Sequence, residues 1–162
     1  MIPQIQPWID DEDLDEVIKV IKSTYVTENQ ATELFENIIK EYTGSRNAIA
    51  ITNGTMALYV ALVAMGIGSG DEVIVPNLTF VASSNAVLMT GATPVLCEVR
   101  RDTFCLDINQ AHKLINQKTK VIMPVHLYGQ SADMDAINAF AKTYKLYVLE
   151  DAAQGVGVFF NK

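Results

Sequence analysis

From residue 48 onward, short apolar runs alternate with stretches of helical periodicity, and this alternation restricts the possible fold more than any other property of the chain. The runs occupy residues 48–52, 72–75, 93–97, 120–125 and 146–150. Between them, residues 55–65, 79–89, 133–144 and the segment from Asp107 to Ile115 carry helical patterns. Strands joined through helices pair in parallel, by right-handed crossovers. The expected fold is therefore α/β, a mostly parallel sheet with helices on both faces. Residues 145–149 read as a buried parallel strand of that sheet.

Two amphipathic stretches precede this rhythm. In residues 10–22, Leu14, Val17, Ile18 and Ile21 share one helical face, with acids at the start and lysines toward the end, as the helix dipole favours. Residues 23–30 form a polar link bearing an aromatic ring, and residues 32–42 form a second amphipathic helix closed by Gly44. Residues 1–44 are expected to form a helical arm ahead of an α/β part, residues 45–162.

Composition narrows the class. A chain of 162 residues with 49% hydrophobic and 19% charged residues has enough apolar surface for one buried core and is not disordered. A formal charge of −7 argues against a nucleic-acid or anionic-membrane partner, since both need clustered Lys and Arg. No apolar run reaches membrane-spanning length, and Met1-Ile2-Pro3-Gln4-Ile5-Gln6-Pro7-Trp8 lacks the basic end and apolar segment of a signal peptide. A cytoplasmic protein is expected, and the sequons at Asn53 and Asn77 then carry no glycan. Cys97 and Cys105 are not spaced as a metal or redox pair and read as reduced, structural residues; no metal site is expected.

Function is sought at the strand ends, because ligands of open α/β sheets sit beyond the carboxyl ends of the strands. The run ending in Val148-Leu149-Glu150-Asp151-Ala152-Ala153-Gln154 places Asp151 to hold a positive charge at the floor of a cleft, with Gln154 offering an amide beside it. The alternative is that Asp151 caps a following helix. Thr52-Asn53-Gly54-Thr55 opens a helix whose free N–H groups, dipole and Thr55 hydroxyl suit a phosphate, with Gly54 admitting a close approach; an ordinary turn with a polar cap has the same sequence. Neither a Gly-Lys-Ser/Thr nor a Gly-x-Gly-x-x-Gly pattern accompanies it. Phe80 follows the next strand and either covers a flat ligand or packs in the core. His126 and Tyr128 follow the fourth run, and His126 reads as a hydrogen-bonded structural group. One ligand with a phosphate, an aromatic face and a basic ring nitrogen would satisfy all three strand ends, and pyridoxal 5'-phosphate has these parts.

The motifs that carry a family resemblance are Thr52-Asn53-Gly54-Thr55 with Ala57-Leu58, and Gly70-Asp71-Glu72-Val73-Ile74-Val75-Pro76 with Thr79-Phe80-Val81-Ala82. Gly91-Ala92-Thr93-Pro94-Val95, Pro124-Val125-His126-Leu127-Tyr128-Gly129 and Glu150-Asp151-Ala152-Ala153-Gln154 follow in order. Together they resemble the amino-terminal portion of the DegT/StrS family of pyridoxal-phosphate-dependent sugar aminotransferases, of the fold-type-I aspartate aminotransferase superfamily. The resemblance implies that Asp151 pairs with the pyridine nitrogen, an attraction of about 4 kcal/mol at 4 Å and an effective dielectric near 20. It implies Gln154 near the ring hydroxyl, Gly54 and Thr55 in the phosphate cup, and Phe80 stacked on the ring. The implied reaction moves an amino group from an amino acid, usually glutamate, to a nucleotide-linked keto sugar, in a homodimer.

The chain also departs from that family. The lysine that forms the Schiff base lies a few tens of residues beyond the aspartate motif in the family, whereas this sequence ends at Asn161-Lys162, too close to Asp151 to match. No catalytic residue is assigned on this reading, the small carboxy-terminal domain is absent, and the large domain is incomplete. The loop Tyr25-Val26-Thr27-Glu28-Asn29-Gln30 lacks the Gly-Pro often found there. In the family fold, residues 48–52 pair with a late antiparallel strand, so here they are expected to have no sheet neighbour and the chain to be prone to association. The alternatives are a non-catalytic cofactor-binding fragment and a related sugar dehydratase with histidine in place of the lysine.

Overall fold

The computed structural model describes residues 6–160, and the chain divides into two compact units, residues 1–50 and residues 51–162. Readings that rest on Met1 to Ile5, on Asn161 or on Lys162 lie outside the described residues.

The first unit holds α1 (Asp11–Ser23) and α2 (Gln30–Thr43). Asp10 caps α1: its carboxylate accepts from the Glu12 and Asp13 amides, while Asp13 accepts from the Asp10 amide at 3.0 Å, so the first-turn donors are satisfied reciprocally. Asn29 caps α2 by accepting from the Ala31 amide, and Gly44, at φ 68°, ends it in the left-handed conformation that a side chain disfavours. Neither helix has a buried residue; Leu14, Val17 and Ile21 on α1 and Leu34, Phe35 and Ile38 on α2 are all exposed.

The second unit begins with α3 (Gly54–Ala64) and continues β1 (Glu72–Pro76), α4 (Ala82–Met89), β2 (Thr93–Cys97), α5 (Ile108–Ala111), β3 (Thr119–Ile122), α6 (Met134–Tyr144) and β4 (Tyr147–Val148). The strands form one parallel sheet in the order β2-β1-β3-β4, with Ile74 beside Val95 on one side and beside Ile122 on the other. Side chains alternate across it. Val73, Val75, Val121 and Met123 pack with Leu58 and Leu62 of α3 and Ala86 and Val87 of α4. Ile74 and Ile122 meet Ala111 of α5 and Ile137, Phe140 and Ala141 of α6 in a second cluster. The sheet is thus covered by helices on both faces, as the α/β reading requires.

Several sequence expectations change. Residues 48–52 form no strand: Ile49 is 77% exposed, and the Ala50 amide donates to Glu36 Oε1 at 2.7 Å rather than to a ladder. An extended apolar run becomes a strand only where a neighbour offers free backbone groups, and no described strand pairs with this one. The run at residues 145–149 is shorter and less buried than expected. Only Tyr147 and Val148 form β4, and Tyr147 is 56% exposed because β4 is the sheet's edge. The third strand stops at Ile122, two residues before Pro124, which has no N–H to give a ladder; pairing resumes at a single bridge between Val125 and Asp151. The segment after Asp107 holds a helix of only 4 residues, and the helix expected from residue 79 starts at Ala82, leaving Thr79 to Val81 as a turn.

Beyond β3 and β4 the two chain segments are also joined by side chains. The Ala132 amide donates to His126 Nδ1 at 3.1 Å, which leaves the ring proton on Nε2, 3.0 Å from Glu150 Oε2. That hydrogen bond holds the half-exposed Glu150 carboxyl below its ordinary 4.5, partly offset by burial.

Two outcomes follow. Ile122→Ala, which empties a fully buried central position, is expected to cost about 2–5 kcal/mol in urea unfolding, and an unchanged midpoint would contradict the assigned core. A depressed carboxyl stabilises the fold above its unfolded pKa and loses that contribution as pH falls through its folded value. Wild-type stability should therefore drop more steeply than that of Glu150→Gln as pH is lowered through 4.5 and below; parallel curves would remove the His126–Glu150 hydrogen bond from the account.

Candidate functional site

The connections leave β1 and β3 in opposite directions. β1 leads through α4 to β2 on one side, and β3 leads through α6 to β4 on the other, so a crevice opens between their carboxyl ends. This is the topological switch point at which open parallel sheets bind ligands. A cavity of about 230 Å³ lies there, just below the about 300–1,000 Å³ usual for small-molecule sites.

Its walls come from four separate segments. The first turn of α3 contributes Gly54 and Thr55, and the next turn contributes Leu58. Asn53 caps this helix by accepting from the Met56 amide at 3.0 Å, and its carbonyl takes the Ala57 amide. The amides of Gly54 and Thr55 remain, at the positive end of an 11-residue helix dipole. The turn between β1 and α4 contributes Thr79 and Phe80, and the first residue of α4 contributes Ala82. Phe80 is 69% exposed, so its ring belongs to the cavity rim and not to the core.

The segment after β3 supplies Val125 and Leu127, both buried. The segment after β4 supplies Asp151, Ala153 and Gln154. Asp151 is 8% exposed and is the one buried carboxylate among the described residues. No helix follows it; its Oδ1 accepts from the Ala153 amide at 3.2 Å and closes a turn instead. Gln154 gives its Oε1 to the Tyr128 amide at 3.0 Å, which leaves its Nε2 as a donor. Tyr128 itself holds a left-handed backbone, φ 56°, with its ring exposed. Gly155 lies against His126, and a Cβ there would stand 2.6 Å from the histidine Cβ, so only glycine lets the turn lie this close.

The sequence-derived candidates Gly54, Thr55, Phe80, Asp151 and Gln154 therefore all line one cavity. His126 lies behind it, bonded to Glu150 and Ala132 as a structural group. Sequence reading missed Ser83, which is fully buried and donates to Asp151 Oδ2 at 2.7 Å, and Thr79, whose Oγ1 is 3.0 Å from Ser83 Oγ. The available signal was a polar run, Ser83-Ser84-Asn85, inside a helix whose other residues are apolar, beginning three residues past Phe80. Among the described residues no cluster of His, Cys, Asp and Glu is arranged for a metal, and no helix is long and apolar enough to cross a membrane.

The arrangement offers free amides at a helix start, an exposed aromatic face, and a buried acid on separate walls of a largely apolar hollow. Comparison with known proteins gives it a context. The chain is 48% identical over 156 residues to GDP-perosamine synthase of Caulobacter vibrioides, covering 96% of this chain and 42% of that protein. It is 36% identical over 156 residues to UDP-4-amino-4-deoxy-L-arabinose--oxoglutarate aminotransferase of Shewanella sediminis, covering 96% and 40%. The chain thus spans about two-fifths of the length of these curated relatives. Among solved structures, the PLP form of the putative sugar aminotransferase Spr1654 from Streptococcus pneumoniae superposes with a TM-score of 0.89 at 30% identity, over 96% of this chain and 44% of that one. The family profile matches residues 7–162, and with the shared fold-type-I architecture it establishes that the chain belongs to the DegT/DnrJ/EryC1/StrS aminotransferase family.

Proposed function

We propose that this chain forms the cofactor-holding part of a pyridoxal-phosphate-dependent aminotransferase that moves an amino group from glutamate to a keto group on a nucleotide-linked sugar. The observation that carries this reading is the convergence of Gly54, Thr55, Phe80 and Asp151, from the start of α3, the β1–α4 connection and the turn after β4, on one cavity.

The residues fit the parts of the cofactor. Gly54 and Thr55 would take its phosphate, because unpaired first-turn amides and the helix dipole both favour an anion. Phe80 would cover its flat face, and the apolar side chains of Leu58 and Val125 would keep water from the ring. Gln154 Nε2 would donate to a ring oxygen while Oε1 stays with Tyr128. Asp151 would hold a proton on the ring nitrogen; a carboxylate away from water attracts a cation more strongly than one at the surface. When bound, pyridoxal phosphate supplies the electron sink for removing a proton next to the transferred nitrogen.

Support for the substrates comes from the relatives: both names carry a nucleotide-linked sugar, and that of the Shewanella protein joins it to an oxoglutarate aminotransferase activity. Oxoglutarate is the keto partner of glutamate, which makes glutamate the matching donor. On this reading residues 45–162 are part of a larger cofactor-binding domain behind an arm of residues 1–44. No described lysine lines the cavity, so on this reading the Schiff-base lysine comes from elsewhere and residues 6–160 bind cofactor without turnover. A homodimer of the full-length protein and a cytoplasmic location belong to the same reading.

The test is titration with pyridoxamine 5'-phosphate, which needs no lysine. Saturable binding is expected, weakened roughly tenfold or more by Asp151→Asn, which removes a charge-assisted hydrogen bond. Equal binding by wild type and variant would remove Asp151 from the site.

A further inference from the structure

The acid at the cavity floor is held by a second layer of groups that the proposed cofactor contacts do not include. Ser83 is 0% exposed and does not line the cavity, yet its Oγ is 2.7 Å from Asp151 Oδ2 across 68 residues of sequence. An ionised carboxylate only accepts, so Ser83 donates its single proton there. The hydroxyl of a helical serine commonly bonds a carbonyl one turn back, and Phe80 O stands 3.3 Å away. The shorter, charge-assisted contact to Asp151 takes precedence over it. With the Ser83 proton committed, Thr79 Oγ1 at 3.0 Å becomes the donor in its pair with Ser83. The hydroxyls therefore run in one direction, Thr79 to Ser83 to Asp151. The Ala153 amide donates to the other oxygen, Oδ1, at 3.2 Å.

We infer that Ser83 is a positioning residue for the reaction, fixing the plane of the Asp151 carboxylate so that its remaining lone pairs meet a cationic nitrogen in the cavity, with Thr79 orienting Ser83 in turn. This rests on the cofactor reading above. One acceptor site on each oxygen is filled from the protein, so the carboxylate cannot rotate about its last bond without losing both contacts. Such a carboxylate is preorganised, and a ligand donor meets it without the cost of ordering it. Because Ser83 is in α4 and Asp151 follows β4, the contact also ties the turn carrying Phe80 to the acid. The Ser83 amide donates to Phe80 O at 3.2 Å, which completes that link.

The experiment uses the chain with pyridoxamine 5'-phosphate labelled with 15N in the ring, and reads the dissociation constant, the ring 15N chemical shift and the ligand-free thermal midpoint. For Ser83→Ala the expected result is binding weakened roughly tenfold and a ring 15N resonance moved toward the unprotonated position. Thr79→Val leaves Ser83 in place and should move the resonance the same way by less; it provides the reading if Ser83→Ala does not fold. Wild-type affinity with an unmoved resonance in the folded variant overturns the inference and leaves the cofactor site standing. A lowered thermal midpoint with an unmoved resonance does so too, since it marks Ser83 as structural only. Failure of the wild-type chain to bind the probe overturns the cofactor reading itself, and this inference with it.

Discussion

The parallel pairing of Val125 with Asp151 is the contact from which the geometry of the cavity follows. After Pro124 interrupts the ladder, two backbone hydrogen bonds restore it: the Asp151 amide to Pro124 O at 2.9 Å, and the His126 amide to Asp151 O at 3.1 Å. At that bridge the alternation of extended chain assigns the neighbouring side chains their sides. Val125, Leu127 and Asp151 line the hollow, while His126 and Glu150 pair behind it. A slip of one residue in either segment would turn its side chains over, placing His126 where Val125 stands or Glu150 where Asp151 stands.

The crevice itself comes from topology. Two strands whose connections depart in opposite directions leave the space over their carboxyl ends uncovered, and the start of α3 forms one wall of it. No single segment carries enough chemistry to bind a ligand. Free amides, an aromatic ring and an acid arrive on separate connections, so the site exists only once the sheet has assembled. This explains why each motif taken alone is ambiguous: a capped turn, a core phenylalanine and a helix-capping aspartate have the same local sequences.

Much of the fold was legible because its signals are local. The two amphipathic helices, the stop at Gly44, and the apolar strands β1 and β2 follow from spacing and residue type. The misreadings arise where a neighbour decides the outcome. Residues 48–52 have strand composition without a partner, and Tyr147 belongs to a strand that turned out to be an edge. Gly54, Thr55, Phe80, Asp151 and Gln154 could be picked out because each follows an apolar run, where the fold class predicts a site. Ser83 was not, since its partner is an oxygen 68 positions away and the polar run in its own segment does not by itself point there. Gly155 was equally silent, because nothing in its own segment hints that a histidine ring lies against it.

The placement of Phe80 and Ser83 on the two sides of one helix start has a mechanical consequence. Ala86 and Val87, on the same helix, are wedged without exposure against the sheet and set the tilt of its axis. A change of volume beneath that helix would pivot the lid-like ring and the hydroxyl together, so remote packing under α4 can retune grip and polarity at once, though neither Ala86 nor Val87 reaches the hollow.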